Sequence, residues 1–452
     1  MDRHKYRVLS LFSGAMGLDL GLERSNSFEI IACIEQDTAC CETIRLNQHK
    51  GHLSPKLQII EGDISQLSPK DIVSKLGIDV KEIDVIVGGP PCQSFSTAGK
   101  RGTIQDPRGT LLWDFLRFVE YIKPKFFLME NVRGLLSAAL QHRPIAQRPD
   151  KGGEPLRQEE EPGSVVRLFA KDLANIKGNG YHLDIFEVNS VNYGAPQIRE
   201  RVLFIGNKFN LEVDFPDPTH GFVEDETPKN SQLNLFDKQP LLPWKTLGDA
   251  ISDLNETQPI VLDFSPRKKK YLALIPPGSN WRSLSEKDQK ESMGKAWFAK
   301  GGRSGWWRRL TFDLPYPTLV TMPNHSSTSL CHPTETRALS IREYSRIQEF
   351  PDDWEFTGTV SEQYRQVGNA VPTRLGLVAS QVISRVLDGL KNTGWKYAKK
   401  ATKPYRIVYL QSHVRTRSWF KNGKPIIWNN GGDNEKAAYS SPKTRKKIRG
   451  IE

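Results

Sequence analysis

Cys92 follows Gly88-Gly89-Pro90-Pro91 directly after the apolar run Val85 to Val87. Two prolines restrict the backbone before it and so fix where its sulfur points. A lone cysteine is usually a small buried hydrophobe. Here the flanking Gly, Pro, Gln93 and Ser94 would make a poor core, and a thiolate is a strong nucleophile. A second apolar run, Phe126 to Met129, ends in Glu130-Asn131-Val132. An acid there could protonate or hydrogen-bond a ring nitrogen while a thiolate adds to the same ring; at neutral pH that requires a raised pKa, which partial burial can supply. Gln197-Ile198-Arg199-Glu200-Arg201 alternates ahead of an apolar strand, so Gln197, Arg199 and Arg201 share one face. Two guanidiniums on that face can hold the acid, donate to a carbonyl and contact phosphate. A solvated strand edge laced with salt bridges is an equal reading of the Arg pair taken alone.

Three earlier positions suit a nucleoside ligand. Phe12-Ser13-Gly14-Ala15-Met16-Gly17 follows the first apolar run, and a glycine turn opening a helix lets backbone N–H groups approach a ligand. Alone it is weak, and it lacks the GxGxxG spacing of a dinucleotide site. Glu35 follows Ile30 to Ile34 and Asp63 follows Leu57 to Ile60; the first could accept the ribose hydroxyls and the second the adenine amine. Either could be a helix cap, and for Asp63 taken singly the cap is favoured. Together they point to adenosine without separating a nicotinamide dinucleotide from S-adenosylmethionine; the cysteine at the fourth strand end makes that distinction.

The elements that must position these residues follow a βαβ rhythm. Strands are expected at Tyr6 to Phe12, Ile30 to Ile34, Leu57 to Ile60, Ile83 to Val87 and Phe126 to Met129, with helix-like stretches between them, which predicts a parallel sheet whose strand ends bind ligands. Further strands are expected at Tyr181 to Val188 and Arg201 to Gly206, and amphipathic helices at Leu339 to Glu349 and Arg374 to Leu390. Gln141 to Gly163 is polar and rich in Pro and Gly, an exposed insertion. From Asn207 to Thr336 the pattern breaks into short proline-rich pieces with a tryptophan patch, Trp297 and Trp306-Trp307, as in an inserted lobe. The expected organisation is an α/β catalytic and cofactor-binding domain over 1–206, an inserted lobe over 207–336, a return to the first domain over 337–390 and a basic extension over 391–452.

Charge is unevenly spread. From Lys391 onward there are sixteen Lys or Arg against three Asp or Glu, a surplus of thirteen that exceeds the +12 of the whole chain. The rest is nearly neutral, so the tail alone offers sequence-blind attraction for phosphates. Five cysteines form no CxxC pair, which argues against a disulfide framework or a zinc cluster, and no metal is expected. No stretch approaches the apolar length of a membrane span, and a cytoplasmic location is expected.

These segments, in this order, resemble the cytosine-C5 DNA methyltransferase family from about Val8 to Pro372. Leu11 to Gly17 is similar to its cofactor loop, Pro91-Cys92-Gln93 to its catalytic loop, and Arg108-Gly109-Thr110-Leu111 to the segment closing that loop. Glu130-Asn131-Val132 and Gln197-x-Arg199-x-Arg201 resemble its active-site motifs, and Arg342-Glu343 with Gln366 to Pro372 its last two. The resemblance implies a Rossmann-like S-adenosylmethionine-dependent methyltransferase sheet with an inserted smaller target-recognition lobe. It also implies transfer of a methyl group from S-adenosylmethionine to carbon 5 of a cytosine flipped from double-stranded DNA. By it Cys92 adds to carbon 6, Glu130 engages ring N3, Arg201 contacts the base carbonyl and Arg199 orients Glu130, with Asn131 and Gln197 beside them. Phe12, Gly14, Gly17, Glu35, Gln36, Asp63, Ile64 and Asn369 would hold the cofactor: Phe12 stacked on adenine, Glu35 on the ribose, Asp63 on the adenine amine, and Asn369 at the methionine end. Gln93, Ser96, Arg303, Arg308, Arg309 and Thr318 would contact DNA. The chain departs from the family in having Met16 where glycine is common, and Gln36 where an aromatic residue often follows the ribose-binding Glu.

Three rival readings are the same chemistry on transfer RNA, a nucleotide-dependent oxidoreductase, and a DNA-binding repressor on a dead methyltransferase fold. A long variable lobe favours duplex DNA, the absent glycine fingerprint disfavours the oxidoreductase, and a binding module has no need of Cys92, Glu130 and the Arg pair together. A single compact chain suggests a monomer that protects DNA beside a restriction endonuclease, a genetic rather than physical partner.

Overall fold

The computed structural model describes residues 5–91, 110–178, 180–222, 240–298, 306–325, 329–393, 399–410, 413–415 and 426–428. Cys92, Gln93, Ser96 and Arg303 lie outside them. Seven strands of the first 207 residues, β1 (Tyr6–Leu11), β2 (Phe28–Glu35), β3 (Gln58–Glu61), β4 (Val85–Gly88), β5 (Phe126–Val132), β6 (His182–Asn189) and β7 (Glu200–Asn207), enter one eight-stranded sheet. Its order is β6-β7-β5-β4-β1-β2-β3, with Tyr405–Tyr409 on the outer side of β6. β1 to β5 pair in parallel, whereas β7 runs antiparallel between β5 and β6.

Register decides what meets at the sheet edge. Leu11 is opposite both Ile34 and Gly88, Ile34 is opposite Ile60, and Gly88 is opposite Met129. Residues that follow these positions, Phe12, Glu35, the Gly62-Asp63 turn, Gly89-Pro90 and Glu130, therefore leave the sheet along one line. β7 enters that edge from the other direction, with Arg201 opposite Val132. This antiparallel pairing also explains why β5 runs past Met129 to Val132, carrying Glu130 and Asn131 within the strand rather than after it.

Strand alternation builds two cores. Val8, Val85, Val87, Phe126 and Leu128 face one side, where they meet Leu18, Leu20 and Leu22 of α1 (Gly17–Glu23) and the long helix Thr373–Thr393. Leu9, Leu11, Ile86, Phe127 and Met129 face the other, against α3 (Pro69–Leu76), α4 (Leu111–Ile122) and α5 (Ser164–Ala174). Apolar side chains on both faces are what buried, mostly parallel strands require. The remaining early helix, α2 (Thr38–His49), is capped by Asp37, whose side chain accepts from the Cys40 amide. The exposed stretch 141–163 is gathered by Arg143, which donates to Glu154 O and Glu160.

Two expected boundaries move. Leu211, Val213 and Phe215 pack into the core under the sheet, so the catalytic body continues past residue 206. Leu247, Leu310, Tyr316, Leu319 and Leu330 share a core with Ile341, Tyr344 and Tyr364, so lobe and returning helices are packed as one unit rather than divided at residue 336. The extension beyond 390 is also partly integral. Tyr405–Tyr409 pairs in parallel with β6, and Arg406 forms an ion pair with the fully buried Asp184. Farther along the extension, His413–Arg415 pairs antiparallel with Ile426–Trp428.

Candidate active site

Glu130 is 8% exposed and its Oε1 lies 2.5 Å from Nε of Arg201. Beside it, Asn131 donates from Nδ2 to the carbonyl of Pro90 at 3.0 Å. A Cβ on Gly89 would come within 3.3 Å of Glu130 Oε2, so glycine is what lets the Gly-Gly-Pro-Pro turn lie against the carboxylate. The acid, one guanidinium and the two residues that lead into Cys92 are thus brought together, with Asn131 as the clasp.

Arg199 takes a different part from the one expected. Its guanidinium donates to carbonyls, Nη1 to Leu319 at 3.2 Å and Nη2 to Gly368 at 2.9 Å and Asn369 at 3.5 Å. It is Arg201, not Arg199, that is ion-paired with Glu130. Burial, then the charge of Arg201, holds the pKa of Arg199 well below its ordinary value, and Glu130 opposes that shift. Arg199 is therefore close enough to both to feel them while it ties three segments together. Gly368 makes the joint possible, because a Cβ there would meet Val320 and the Thr321 amide at 2.9 Å. We expect Arg199→Lys, a single-point donor that cannot fork, to cost about 2–3 kcal/mol of stability through unsatisfied carbonyls. Urea unfolding checks this, and steady-state kinetics should show KM for DNA and for cofactor rising together.

Gln197 is also corrected. It is fully buried and turned to the end of the helix Ile341–Ile347, with Nε2 donating to Gln348 Oε1 at 2.5 Å and to Ile347 O at 3.2 Å. Gln348 in turn donates to Val367 O and Ala370 O at 2.7 and 2.9 Å. Neither Gln348 nor Asn189, whose Oδ1 accepts from the Arg199 amide at 3.0 Å, stood out in the sequence. The only signal for Gln348 was a polar residue inside the apolar face of a helix.

At the other half of the edge, Glu35 is held by backbone amides: Oε1 accepts from Gln36 and Asp37 and Oε2 from Gly14, each at 2.8 Å. A carboxylate has about four acceptor positions, so one remains, on Oε2, for a ribose hydroxyl. Gly14 has φ +53° with open space where a Cβ would stand, so the turn has room for a ligand. Phe12 is half-buried against the core beneath it. Asp63 caps a helical turn, Oδ1 accepting from Ser65 N at 3.0 Å, while Ile64 is buried and Gln36 exposed. Asn369 is exposed at the end of its helix. A donor set of this kind fits an adenosine-bearing cofactor. Gly17 serves packing instead, since a Cβ there would come 2.4 Å from Val371 O. Met16, where glycine is common in the family it resembles, has a φ of +69°, the left-handed conformation that glycine favours, with the side chain fully buried.

Of the residues expected on DNA, Arg309 is corrected. It is 4% exposed and donates to Leu272 O at 2.7 Å, His332 O at 3.0 Å and Thr336 Oγ1 at 3.1 Å, which makes it an internal brace of the lobe. Arg308 keeps partial exposure, and Thr318 is exposed with Oγ1 donating to Ile198 O at 2.8 Å.

The family profile of C-5 cytosine-specific DNA methylase matches residues 6–385. The chain is 38% identical to the type II methyltransferase M.Sau96I of Staphylococcus aureus over 82% of its length and 74% of that protein's. It is 35% identical to M.Eco47II of Escherichia coli over 86% of its length and 81% of that protein's. Among solved structures, a prophage-encoded E. coli protein described as a DNA modification methyltransferase is similar in fold, with a TM-score of 0.53 at 24% identity over 85% of this chain and 100% of that one. A Spodoptera frugiperda DNMT2 has a TM-score of 0.50 at 16% identity, over 85% of this chain and 100% of that one. With its sheet, its edge residues and this match across most of its length, the chain belongs to the C-5 cytosine-specific DNA methylase family.

Proposed function

We propose that the protein transfers a methyl group to carbon 5 of a cytosine flipped out of a specific duplex DNA site, with Cys92 as nucleophile, and that it is the modification enzyme of a restriction-modification system. The observation that carries this is the cluster of Glu130, Arg201 and the Asn131–Pro90 clasp at the entrance to the Cys92 segment. S-adenosylmethionine, bound by Glu35, Asp63, the Phe12–Gly14 turn and Asn369, supplies the electrophilic methyl. Carbon 5 of cytosine is too weak a nucleophile unaided. The Cys92 thiolate forms a bond to carbon 6 while Glu130 hydrogen-bonds N3, and the electron pair released makes carbon 5 nucleophilic. After methylation, loss of the carbon 5 proton expels the thiolate. Arg201 holds Glu130 and would donate to the base carbonyl, and Arg199 fixes the recognition lobe against the cofactor segment. The restriction-modification role rests on the relatives named above, and with it go a monomer in the cytoplasm and a nuclease that is a genetic partner only. No helix among the described residues is long and apolar enough to cross a membrane.

The test is incubation with tritiated S-adenosylmethionine and mixed plasmid DNA, followed by bisulfite mapping. Label at cytosine within one recurring short motif is expected; label only in transfer RNA would overturn the DNA assignment. Residues 411–452 carry ten Lys or Arg against three Asp or Glu. Because the sheet strand ends before them, a chain stopped after Leu410 is expected to fold, to bind all DNA sequences more weakly and to show a flatter dependence of log Kd on log salt. Fluorescence anisotropy across a salt series checks it, with the methylated motif unchanged.

A further inference from the structure

The corner at the end of β5 is held from two sides. On one side Asn131 reaches the exit of β4: its Nδ2 donates to Pro90 O at 3.0 Å, and its Oδ1 accepts from the Val132 amide at 2.8 Å. On the other side Arg133, the first residue of the helical turn Arg133–Ser137, reaches β6 and β7. Its Nε lies 2.5 Å from Glu187 Oε1 on β6, and its Nη1 3.5 Å from Glu200 Oε2 on β7. Register puts these partners in place. Asn131 is opposite Val202 and Val202 is opposite Glu187, so the three stand in one row on one face of the sheet; Glu200, two residues before Val202, shares that face. Neither acid has a part in the reaction proposed above.

Glu187 is fully buried, on a strand that is interior to the sheet: β7 flanks it on one side, and on the other Tyr409 stands opposite it while the Leu410 amide donates to its carbonyl at 3.3 Å. A carboxylate in such a place costs stability unless it is paired, and an apolar side chain of the same size would fill the space at less cost. What the ion pair adds is direction. A planar guanidinium set between two carboxylates fixes the angle at which the chain leaves the strand, which an apolar contact does not. The β5–β7 pairing ends at Val132, opposite Arg201, so beyond that point side chains rather than the strand ladder hold the corner.

We propose that Arg133 is a positioning residue for the addition step, held by Glu187 and Glu200 so that Asn131 keeps its grip on Pro90 and the Cys92 segment starts from a fixed point. The proposal rests on the reading of Cys92 as the nucleophile. The cofactor half of the edge, on β1 and β2, is separated from this corner by β4, so the effect falls on addition to the base and not on cofactor binding.

The experiment compares full-length wild type, Arg133→Lys, Arg133→Met and the double variant Arg133→Met with Glu187→Met. Tritium release from plasmid DNA carrying 5-tritiated cytosine, without cofactor, reads the addition step; calorimetric titration with S-adenosylmethionine reads the cofactor site, and thermal unfolding reads stability. Arg133→Met strands a buried charge and is expected to be the least stable, whereas the double variant removes that charge and should unfold near the wild-type temperature. Even so, the double variant is expected to release tritium about 10²-fold more slowly, the scale on which a small misplacement of a reacting group acts, with cofactor affinity unchanged. Arg133→Lys, which keeps the charge but not the fork, should fall between it and wild type. A double variant that recovers tritium release together with stability would make the pair merely structural and overturn the proposal, as would a loss of cofactor affinity in step with release. If the double variant does not fold, Arg133→Lys decides: wild-type release from it overturns the proposal, and slowed release at wild-type stability supports it. Absence of release by wild type from any DNA would instead overturn the assignment of Cys92, and the proposal with it.

Discussion

Cys92→Ser is expected to lower methyl transfer to DNA by about 10⁴-fold or more, the scale on which removal of a nucleophile acts, while leaving DNA affinity within a few-fold of wild type. The substitution changes one atom and keeps the chain's course through Pro90-Pro91. What it removes is the thiolate, which even a few per cent ionised at neutral pH adds to an electron-poor carbon far faster than a hydroxyl does. The addition step can be read without cofactor. Reversible bonding at carbon 6 makes carbon 5 basic enough to take up a solvent proton, so wild type should wash tritium out of 5-tritiated cytosine in target DNA. Cys92→Ser should wash out none. A serine variant that still exchanges tritium would remove Cys92 from the reaction and point to another nucleophile at the strand end.

The sheet-edge places of Glu130 and Glu35 were legible in the sequence for a simple reason. In a parallel sheet each strand ends at the same edge, so an apolar run of four or five residues announces its own ligand-facing successor. That argument placed Glu130, Glu35 and Asp63 at the edge without knowledge of strand order, while Cys92 lies outside the described residues. It could not divide the labour between Arg199 and Arg201. Alternation puts both on one face, and only the antiparallel register of β7 against β5, with Arg201 opposite Val132, decides which guanidinium reaches Glu130. Long-range register leaves no local trace when both candidates are the same residue type.

Gly17 shows the converse problem. A glycine in a turn reads as room for a ligand, but here the nearest atom is the carbonyl of Val371, from a segment more than 350 residues away. The same holds for the tail. Tyr405–Tyr409 is plainly a strand by composition, but its partner is fixed by Arg406 reaching Asp184, a buried charge on β6. Arg309 looked like a DNA contact because a guanidinium among tryptophans and arginines usually faces solvent. Its donors instead satisfy the carbonyls of a small irregular core that has little regular structure to satisfy them itself. In each case the misread residue serves a contact between segments distant in sequence.

Glu130→Gln carries the second large effect. The two side chains have the same shape, so the Asn131–Pro90 clasp and the approach of Gly89 should persist, and Arg201 Nε can still donate to the amide oxygen. Lost is the ability to hold or give a proton at N3 of the cytosine while the thiolate bonds to carbon 6. Without it the ring must accept the electron pair with no acid to stabilise it, and kcat is expected to fall by about 10²–10³-fold, within the range of general acid catalysis. KM for DNA should change little, because the group acts chiefly in the transition state. Tritium exchange at carbon 5 without cofactor should fall by the same factor as methyl transfer, since both pass through the same addition. A variant slow in methyl transfer but unimpaired in exchange would place Glu130 after the addition step and assign the protonation of the ring to another group. Arg199→Lys gives the contrast that separates chemistry from architecture, its effect falling on both KM values and on stability while kcat, once the site is saturated, stays close to that of wild type.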